Sequence, residues 1–115
     1  MTPAEKWAAA FGLIAANPAP FTEEFPQWLE ENFAIWERFE IEANRIWDSG
    51  RAHYSARTIG EYLRHETALR EAPNYHGFKV NDHAWPDLAR LYLLAHPDRA
   101  GFFERRVGQS ARRAA

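Results

Sequence analysis

The sequence contains no cysteine among its 115 residues. This absence excludes disulfide bonds, zinc–thiolate sites and cysteine nucleophiles, and it is typical of proteins in a reducing compartment. The strongest apolar run, residues 91–95, is far shorter than the roughly 20 residues that cross a bilayer. The first sixteen residues hold Glu5 and one lysine, and they lack the positive flank of a signal peptide. We therefore expect a cytoplasmic protein without a membrane partner.

A strong net charge is also missing, because the chain carries only −2 at pH 7. Residues 1–42 hold eight acids and two bases, whereas residues 43–115 hold eight acids and twelve bases. A general nucleic-acid binder is usually basic overall, so binding of DNA or RNA would depend on one face of the second part or on its arginine-rich end. The acidic first part could instead repel nucleic acid or bind a basic partner.

Aromatic residues are abundant and make up 15% of the chain. A disordered chain carries few of them, so we expect a folded core of large side chains. A length of 115 residues favours one domain. The sequence predicts an all-α bundle of four to five helices over residues 1–106, followed by a flexible basic tail over residues 107–115.

Two helices are predicted in the first part of the chain. Thr2 and Glu5 form a capping box around Pro3, which predicts a helix from about Pro3 to Ala16, and the prolines of residues 17–20 end it. Thr22 begins a second capped turn. A long central helix is then predicted over residues 26–48, and Gly50 is suited to the left-handed position that closes its C-terminus.

A third helix is predicted from Ser55, which caps it, to Arg70. Its apolar side is formed by residues spaced three and four apart, namely Ile59, Tyr62 and Leu63. Gly60 lies inside this helix, where glycine costs about 1 kcal/mol relative to alanine unless another part of the protein packs closely against it. The segment Phe78–Val80 is predicted as an extended connector or, at most, one short strand or hairpin.

Asn81 or Asp82 is predicted to cap a further helix, one side of which packs in the core of the bundle. That side consists of Trp85, Leu88, Leu91, Tyr92 and Ala95. His96, Pro97 and Asp98 end this helix and are expected to start a short helical segment that carries Phe102 and Phe103.

Catalytic and metal-binding patterns are missing from the sequence. The five histidines do not repeat the H-E-x-x-H spacing of zinc proteases, and no glycine-rich phosphate loop is present. Ser49 and Ser55 lie near His53, but nothing in the local sequence supplies the orienting third group that an activated serine needs. We predict no catalytic residue, no metal site and no cofactor, and we interpret the histidines as structural or exposed.

The segment of residues 51–70, which contains this third helix, carries arginines that lack an acid in the favoured local orientation, together with tyrosines suited to stacking. Glu61 lies four residues after Arg57, so part of this charge can be neutralised along the helix. We predict that phosphate groups would be bound by residues of this helix and by two arginines nearer the C-terminus. These residues are Arg51, Tyr54, Arg57, Arg64, His65, Arg105 and Arg106.

The phrases HYSARTI, LRHET, GFKVND, LARLY and HPDRAGFFERR, within residues 26–106, resemble those of a family of small hypothetical proteins of bacteriophages and bacteria. The resemblance implies an intracellular accessory protein, and it transfers no catalytic or binding residue.

Two functional hypotheses follow. The first is a non-enzymatic protein that contacts nucleic acid through the basic helix, with an affinity that falls steeply as salt rises. The second is a protein-interaction module, such as an inhibitor or adaptor of a host protein or a homodimer, which uses the acidic first part or exposed aromatic residues. An enzyme would become the better interpretation if the fold brought histidines close to each other or to a buried carboxylate. The histidines concerned are two or more of His53, His65, His76 and His83.

Overall fold

The computed structural model describes residues 2–70 and 84–103, and for residues 67–70 it describes the backbone alone. Five α-helices form the bundle, namely α1 (Pro3–Ala16), α2 (Phe25–Glu31), α3 (Phe33–Asp48), α4 (Ala56–Arg70) and α5 (Ala84–Ala95). A short 3₁₀ helix, Pro97–Arg99, follows α5. The predicted all-α fold of four to five helices is therefore confirmed.

The capping box predicted at the start of α1 is present. The Thr2 side chain accepts a hydrogen bond from the Glu5 backbone N–H at 3.1 Å, and the Glu5 carboxylate accepts one from the Thr2 N–H at 3.2 Å. Because these two bonds satisfy donors that a helix leaves free at its N-terminus, they fix where α1 begins. The helix ends at Ala16, before the prolines of residues 17–20.

The predicted long helix of residues 26–48 is wrong in one respect, because it is divided at Asn32 into α2 and α3. Asn32 leaves the helical conformation, with φ −131° and ψ 33°. Its side-chain amide donates to the Trp28 carbonyl at 2.9 Å, and its own carbonyl accepts from the Ile35 N–H at 2.9 Å. Asn32 therefore ends one helix and begins the next, so the chain can change direction there.

The turn between α3 and α4 agrees with the sequence. Gly50 has a φ of +96°, the left-handed conformation that closes a helix at low cost only for glycine. Ser55 caps α4, since its hydroxyl accepts from the Thr58 N–H at 3.2 Å. Ile59 and Leu63 of α4 are buried as predicted, whereas Tyr62 is 45% exposed. Helix α4 thus presents an aromatic side chain to solvent.

The core lies where α3, α4 and α5 meet, and α1 packs on α5. Its centre is formed by side chains with 0% exposure. These residues are Leu29, Phe39, Ala43, Leu88, Leu91, Tyr92 and Phe102. All the core residues expected from α5 are buried except Ala95, which is half-buried. This packing holds the outward faces of α3 and α4 side by side.

Thr22 does not act as the predicted helix cap. Its hydroxyl donates to the Asp87 carboxylate at 2.7 Å, and its backbone N–H approaches the same oxygen at 3.4 Å. Asp87 is 1% exposed and also accepts from Arg90 at 2.9 Å. The connector before α2 is therefore tied to the first turn of α5 by a buried carboxylate.

The short helical segment predicted to carry Phe102 and Phe103 ends before them, at Arg99. Both phenylalanines are buried, and Phe103 forms a parallel β-bridge with Tyr54. The Tyr54 N–H donates to the Phe102 carbonyl at 2.9 Å. Residues 102–103 are extended because they pair with the segment that enters α4.

Some predictions fall outside the described residues. These concern the short strand at Phe78–Val80, the helix cap at Asn81 or Asp82, and the basic tail of residues 107–115. None of the helices in residues 2–70 and 84–103 combines the length and apolar character that a bilayer crossing requires.

Candidate interaction surface

The basic face predicted on α4 is partly neutralised. Arg57 and Glu61 form an ion pair at 3.1 Å, which is the neutralisation that their four-residue spacing allows. Both side chains are largely exposed, at 64% and 60%, and such a pair contributes little to stability. Glu61 nevertheless places a negative charge on the outward face of α4, between Arg57 and Arg64 in sequence. Phosphate would meet this carboxylate as well as the guanidinium groups.

The other predicted nucleic-acid residues differ in how much of each side chain solvent can reach. Arg51 is exposed in the turn before α4, and His65 is exposed on the helix itself. Tyr54 is half-buried against the core, so its ring is not a free stacking platform. Arg64 is exposed and also makes an interaction within the protein. Arg105 and Arg106 lie outside the described residues.

A different surface combines exposed apolar side chains with a groove. Ile41 of α3 is 62% exposed, and Tyr62 of α4 is 45% exposed. They line an open groove of about 430 Å³ whose remaining walls are charged. We call this the α3–α4 surface, and its lining residues are Arg38, Ile41, Glu42, Tyr62 and Glu66.

Ile41 points outward because of its position on α3. The buried residues of this helix, Trp36, Phe39 and Ala43, follow three- and four-residue spacing and define its inner face. Ile41 lies two residues from both Phe39 and Ala43, which places it on the opposite side of the helix. Folding of the described chain thus leaves this side chain in water.

Glu66 organises the charged wall of the groove. It forms an ion pair with Arg38 across the two helices, and its side chain is only 18% exposed. A hydrogen bond from the Tyr62 hydroxyl to Glu66, together with the negative charge of Glu66, raises the pKa of Tyr62 above its ordinary value of 10.0. Arg38 and Tyr62 are therefore held in place by one carboxylate, and the groove has a defined shape before any partner binds.

This hydrogen bond predicts a pH effect. The folded state holds the Tyr62 proton more firmly than the unfolded chain does, because the Tyr62 pKa is raised on folding. The hydrogen bond from Tyr62 to Glu66 therefore contributes fully to stability below pH 10.0, and this contribution is lost as the pH rises through the raised pKa. Glu66→Gln should move the Tyr62 pKa back towards its ordinary value. Ultraviolet titration of tyrosinate, with Tyr62→Phe to assign the signal, tests this. A Tyr62 pKa that is the same in Glu66→Gln and in the natural protein would contradict the assignment.

A second polar cluster lies at the end of α5 and serves the fold. The Tyr92 hydroxyl donates to the Asn44 side-chain oxygen at 2.7 Å, and Arg99 donates to the same oxygen at 2.7 Å. Burial raises the pKa of Tyr92, although the hydrogen bond from Arg99 acts in the opposite direction. The Arg99 guanidinium also lies 5.1 Å from the ring centre of Trp47. These contacts join α3 to the 3₁₀ helix.

The described histidines do not assemble into a metal site. His53 Nδ1 lies 2.9 Å from the Gly101 carbonyl, and His96 Nε2 lies 2.9 Å from the Glu40 carboxylate. Within residues 2–70 and 84–103, no group of three or more histidine, cysteine or acidic side chains is placed to hold a metal ion. His76 and His83 lie outside these ranges.

Ile41 was not among the predicted binding residues. A signal was present, since Ile41 is out of phase with the apolar residues that precede and follow it on the same helix. The pairing of Arg38 with Glu66 joins residues 28 positions apart and had no signal in the local sequence.

No protein-family model, curated protein or solved structure matches this sequence. A functional assignment therefore depends on the chemistry of the surface itself.

Proposed function

We propose that this protein is a non-enzymatic interaction module that binds another polypeptide through the α3–α4 surface. The observation that carries the proposal is the exposure of Ile41, at 62%, beside Tyr62 and an open groove. Single exposed apolar residues are common on monomeric proteins. Here two large ones share a groove whose wall is already ordered by the Arg38–Glu66 pair, and that combination is typical of a docking surface.

The charges of the groove favour a polypeptide over a nucleic acid. Its walls contain one arginine and two glutamates, Arg38, Glu42 and Glu66. The two carboxylates would repel phosphate, whereas a polypeptide can offer apolar side chains together with charges of both signs. Tyrosine is also favoured at the energetic centre of protein interfaces, because it supplies a large contact area and a polar hydroxyl.

The proposal does not include catalysis. The groove-lining residues include no serine, threonine, lysine or histidine beside a general base, so they do not form an activated nucleophile. The fixed ion pair and the exposed isoleucine are suited to binding.

Selection from a random-peptide display library on the immobilised protein tests this function. We expect peptides whose affinity falls at least about tenfold for Ile41→Glu, because a charge at the centre of the docking surface prevents apolar contact. Ala8→Glu adds the same charge on the exposed side of α1 and is the matched control, for which affinity should be unchanged. Peptides that bind both variants equally would contradict the proposal.

Binding of nucleic acid is the competing outcome and has its own test. Titration with labelled duplex DNA and single-stranded RNA should show no shift beyond weak, salt-sensitive association. A tight complex that weakens steeply with salt and is lost in the Arg57→Glu, Arg64→Glu double variant would support the basic helix as the binding element instead.

A further inference from the structure

We propose that the partner of the α3–α4 surface is a second copy of this chain, bound so that the two α3 helices pack antiparallel about a two-fold axis at Ile41. This inference rests on the proposed function, because its interface is centred on Ile41 of the α3–α4 surface. It goes further by naming the occupant and the register of the interface.

The outward face of α3 carries a short stripe with an apolar centre. Ala34, Ile41, Arg45 and Asp48 are exposed, and Glu37 is half-exposed beside them. The spacing of three, four and seven residues places all five on one side of the helix, opposite the buried Trp36, Phe39 and Ala43. A small residue, Ala34, at one end of the stripe allows another helix to approach closely.

When two copies of this stripe run in opposite directions, the charges of one copy are complementary to those of the other. Glu37 lies four residues before Ile41, and Arg45 lies four residues after it. A two-fold axis at Ile41 therefore places Glu37 of each copy opposite Arg45 of the other, so two ion pairs flank the central isoleucines. A parallel arrangement would instead bring like charges together, Glu37 against Glu37 and Arg45 against Arg45.

Both charged groups are able to make these contacts. Among the described residues Glu37 takes part in no ion pair. Arg45 is 71% exposed at its side chain and uses one nitrogen for the local pair with Glu42 at 2.9 Å. A guanidinium has five N–H donors, so Arg45 can hold Glu42 and a carboxylate of the other copy together.

Analytical ultracentrifugation of charge-reversed variants tests the interface. The natural protein should form a dimer of twice the 13.3 kDa chain mass, and Ile41→Glu should be a monomer with an unchanged helical circular dichroism spectrum. Glu37→Arg and Arg45→Glu should each weaken the dimer about tenfold, because each change creates two like-charge contacts. The double variant restores opposite charges and should dimerise nearly as well as the natural protein.

Glu30→Arg and Arg51→Glu reverse exposed charges elsewhere and serve as controls that should leave the dimer intact. A dimer that survives Ile41→Glu, or a double variant that is no better than the single variants, would overturn the inference. A natural protein that stays monomeric would also overturn it. If the natural protein is monomeric while peptides sensitive to Ile41→Glu are still recovered, the proposed function stands and the second copy is the wrong occupant.

Because the natural chain has no cysteine, an introduced cysteine can be labelled specifically, and this allows a direct test of the helix direction. Spin labels on Ala34→Cys and Asp48→Cys report distances between copies in the dimer. In the antiparallel register, a mixed dimer with one label at each position should give the shortest distance. Labels at the same position in both copies should be about 20 Å apart along the helix direction, because each label lies seven residues from the two-fold axis on opposite sides of it. Equal distances at 34 and 48 that are shorter than the mixed distance would show a parallel pair and contradict the register.

Discussion

Gly60→Ala is expected to lower the free energy of unfolding by about 1–3 kcal/mol, although alanine is the better helix former by about 1 kcal/mol. The reason is the indole ring of Trp85 in α5, which lies directly over Gly60. A Cβ at position 60 would come within 2.6 Å of Trp85 Cε3 and closer still to two other ring carbons. Trp85 is only 4% exposed, so the ring has no room to move away.

Gly12 provides the matched control, since it is also a glycine inside a helix. A Cβ at Gly12 would meet no atom of the described chain within 4 Å. Gly12→Ala is therefore expected to stabilise the protein by about 0.5–1 kcal/mol. Chemical denaturation of the two variants should give shifts of opposite sign. Stabilisation by both substitutions would contradict the close packing of α4 on α5.

Asp87→Ala is expected to lower the free energy of unfolding by about 2–4 kcal/mol. The Asp87 carboxylate is 1% exposed and accepts from the Thr22 hydroxyl, the Thr22 N–H and Arg90. Its removal breaks the two hydrogen bonds from Thr22 and releases the connector before α2 from α5. Arg90 is 38% exposed and can return to water, which limits the loss.

Asp98→Ala is the control for this substitution, because Asp98 is 69% exposed and its loss should change stability by less than about 0.5 kcal/mol. A double-mutant cycle of Asp87→Ala with Thr22→Val should show that the two effects are not additive. Additive effects, or equal costs for Asp87→Ala and Asp98→Ala in denaturant, would contradict the role of the buried carboxylate.

Where a helix start was predicted correctly, a few neighbouring residues in the sequence indicate it. The capping box of Thr2 and Glu5 fixed the start of α1, and Ser55 fixed the start of α4, because these hydrogen bonds join residues three apart. Gly60 was also identified as a point of close approach, although the group packed against it is the Trp85 ring. Such features follow from local geometry, which the sequence records directly.

The division at Asn32 could not be read from the pattern, because apolar residues continue at helical spacing on both sides of it. Asparagine is tolerated within a helix and is also favoured at helix ends. Tertiary packing therefore decides whether the helix continues through Asn32 or ends there. The hydrogen bond from Thr22 to the buried Asp87 was missed for a similar reason. Those residues are 65 positions apart, and only the packing of α5 brings them together.

The predicted nucleic-acid residues were chosen from the charge pattern, and the structure adds the surroundings of two of them. Arginines on α4 indicated a basic face, but the pair of Arg57 with Glu61 reduces it, and the half-burial of Tyr54 removes a stacking ring. Ile41 carried a readable signal, because an apolar residue out of phase with the core stripe has no partner within its own helix bundle. The ordered groove beside it arises from contacts between α3 and α4, which local sequence does not specify.

Backbone amide NMR of the labelled protein, titrated with a peptide selected on it, tests the central claim most directly. The account predicts chemical-shift changes concentrated in residues 38–45 of α3 and 59–66 of α4, and their loss in Ile41→Glu. Changes centred on α1, or on Arg51 and Arg57, with the amides around Ile41 and Tyr62 unaffected, would show that the α3–α4 surface is not where this protein binds its partner.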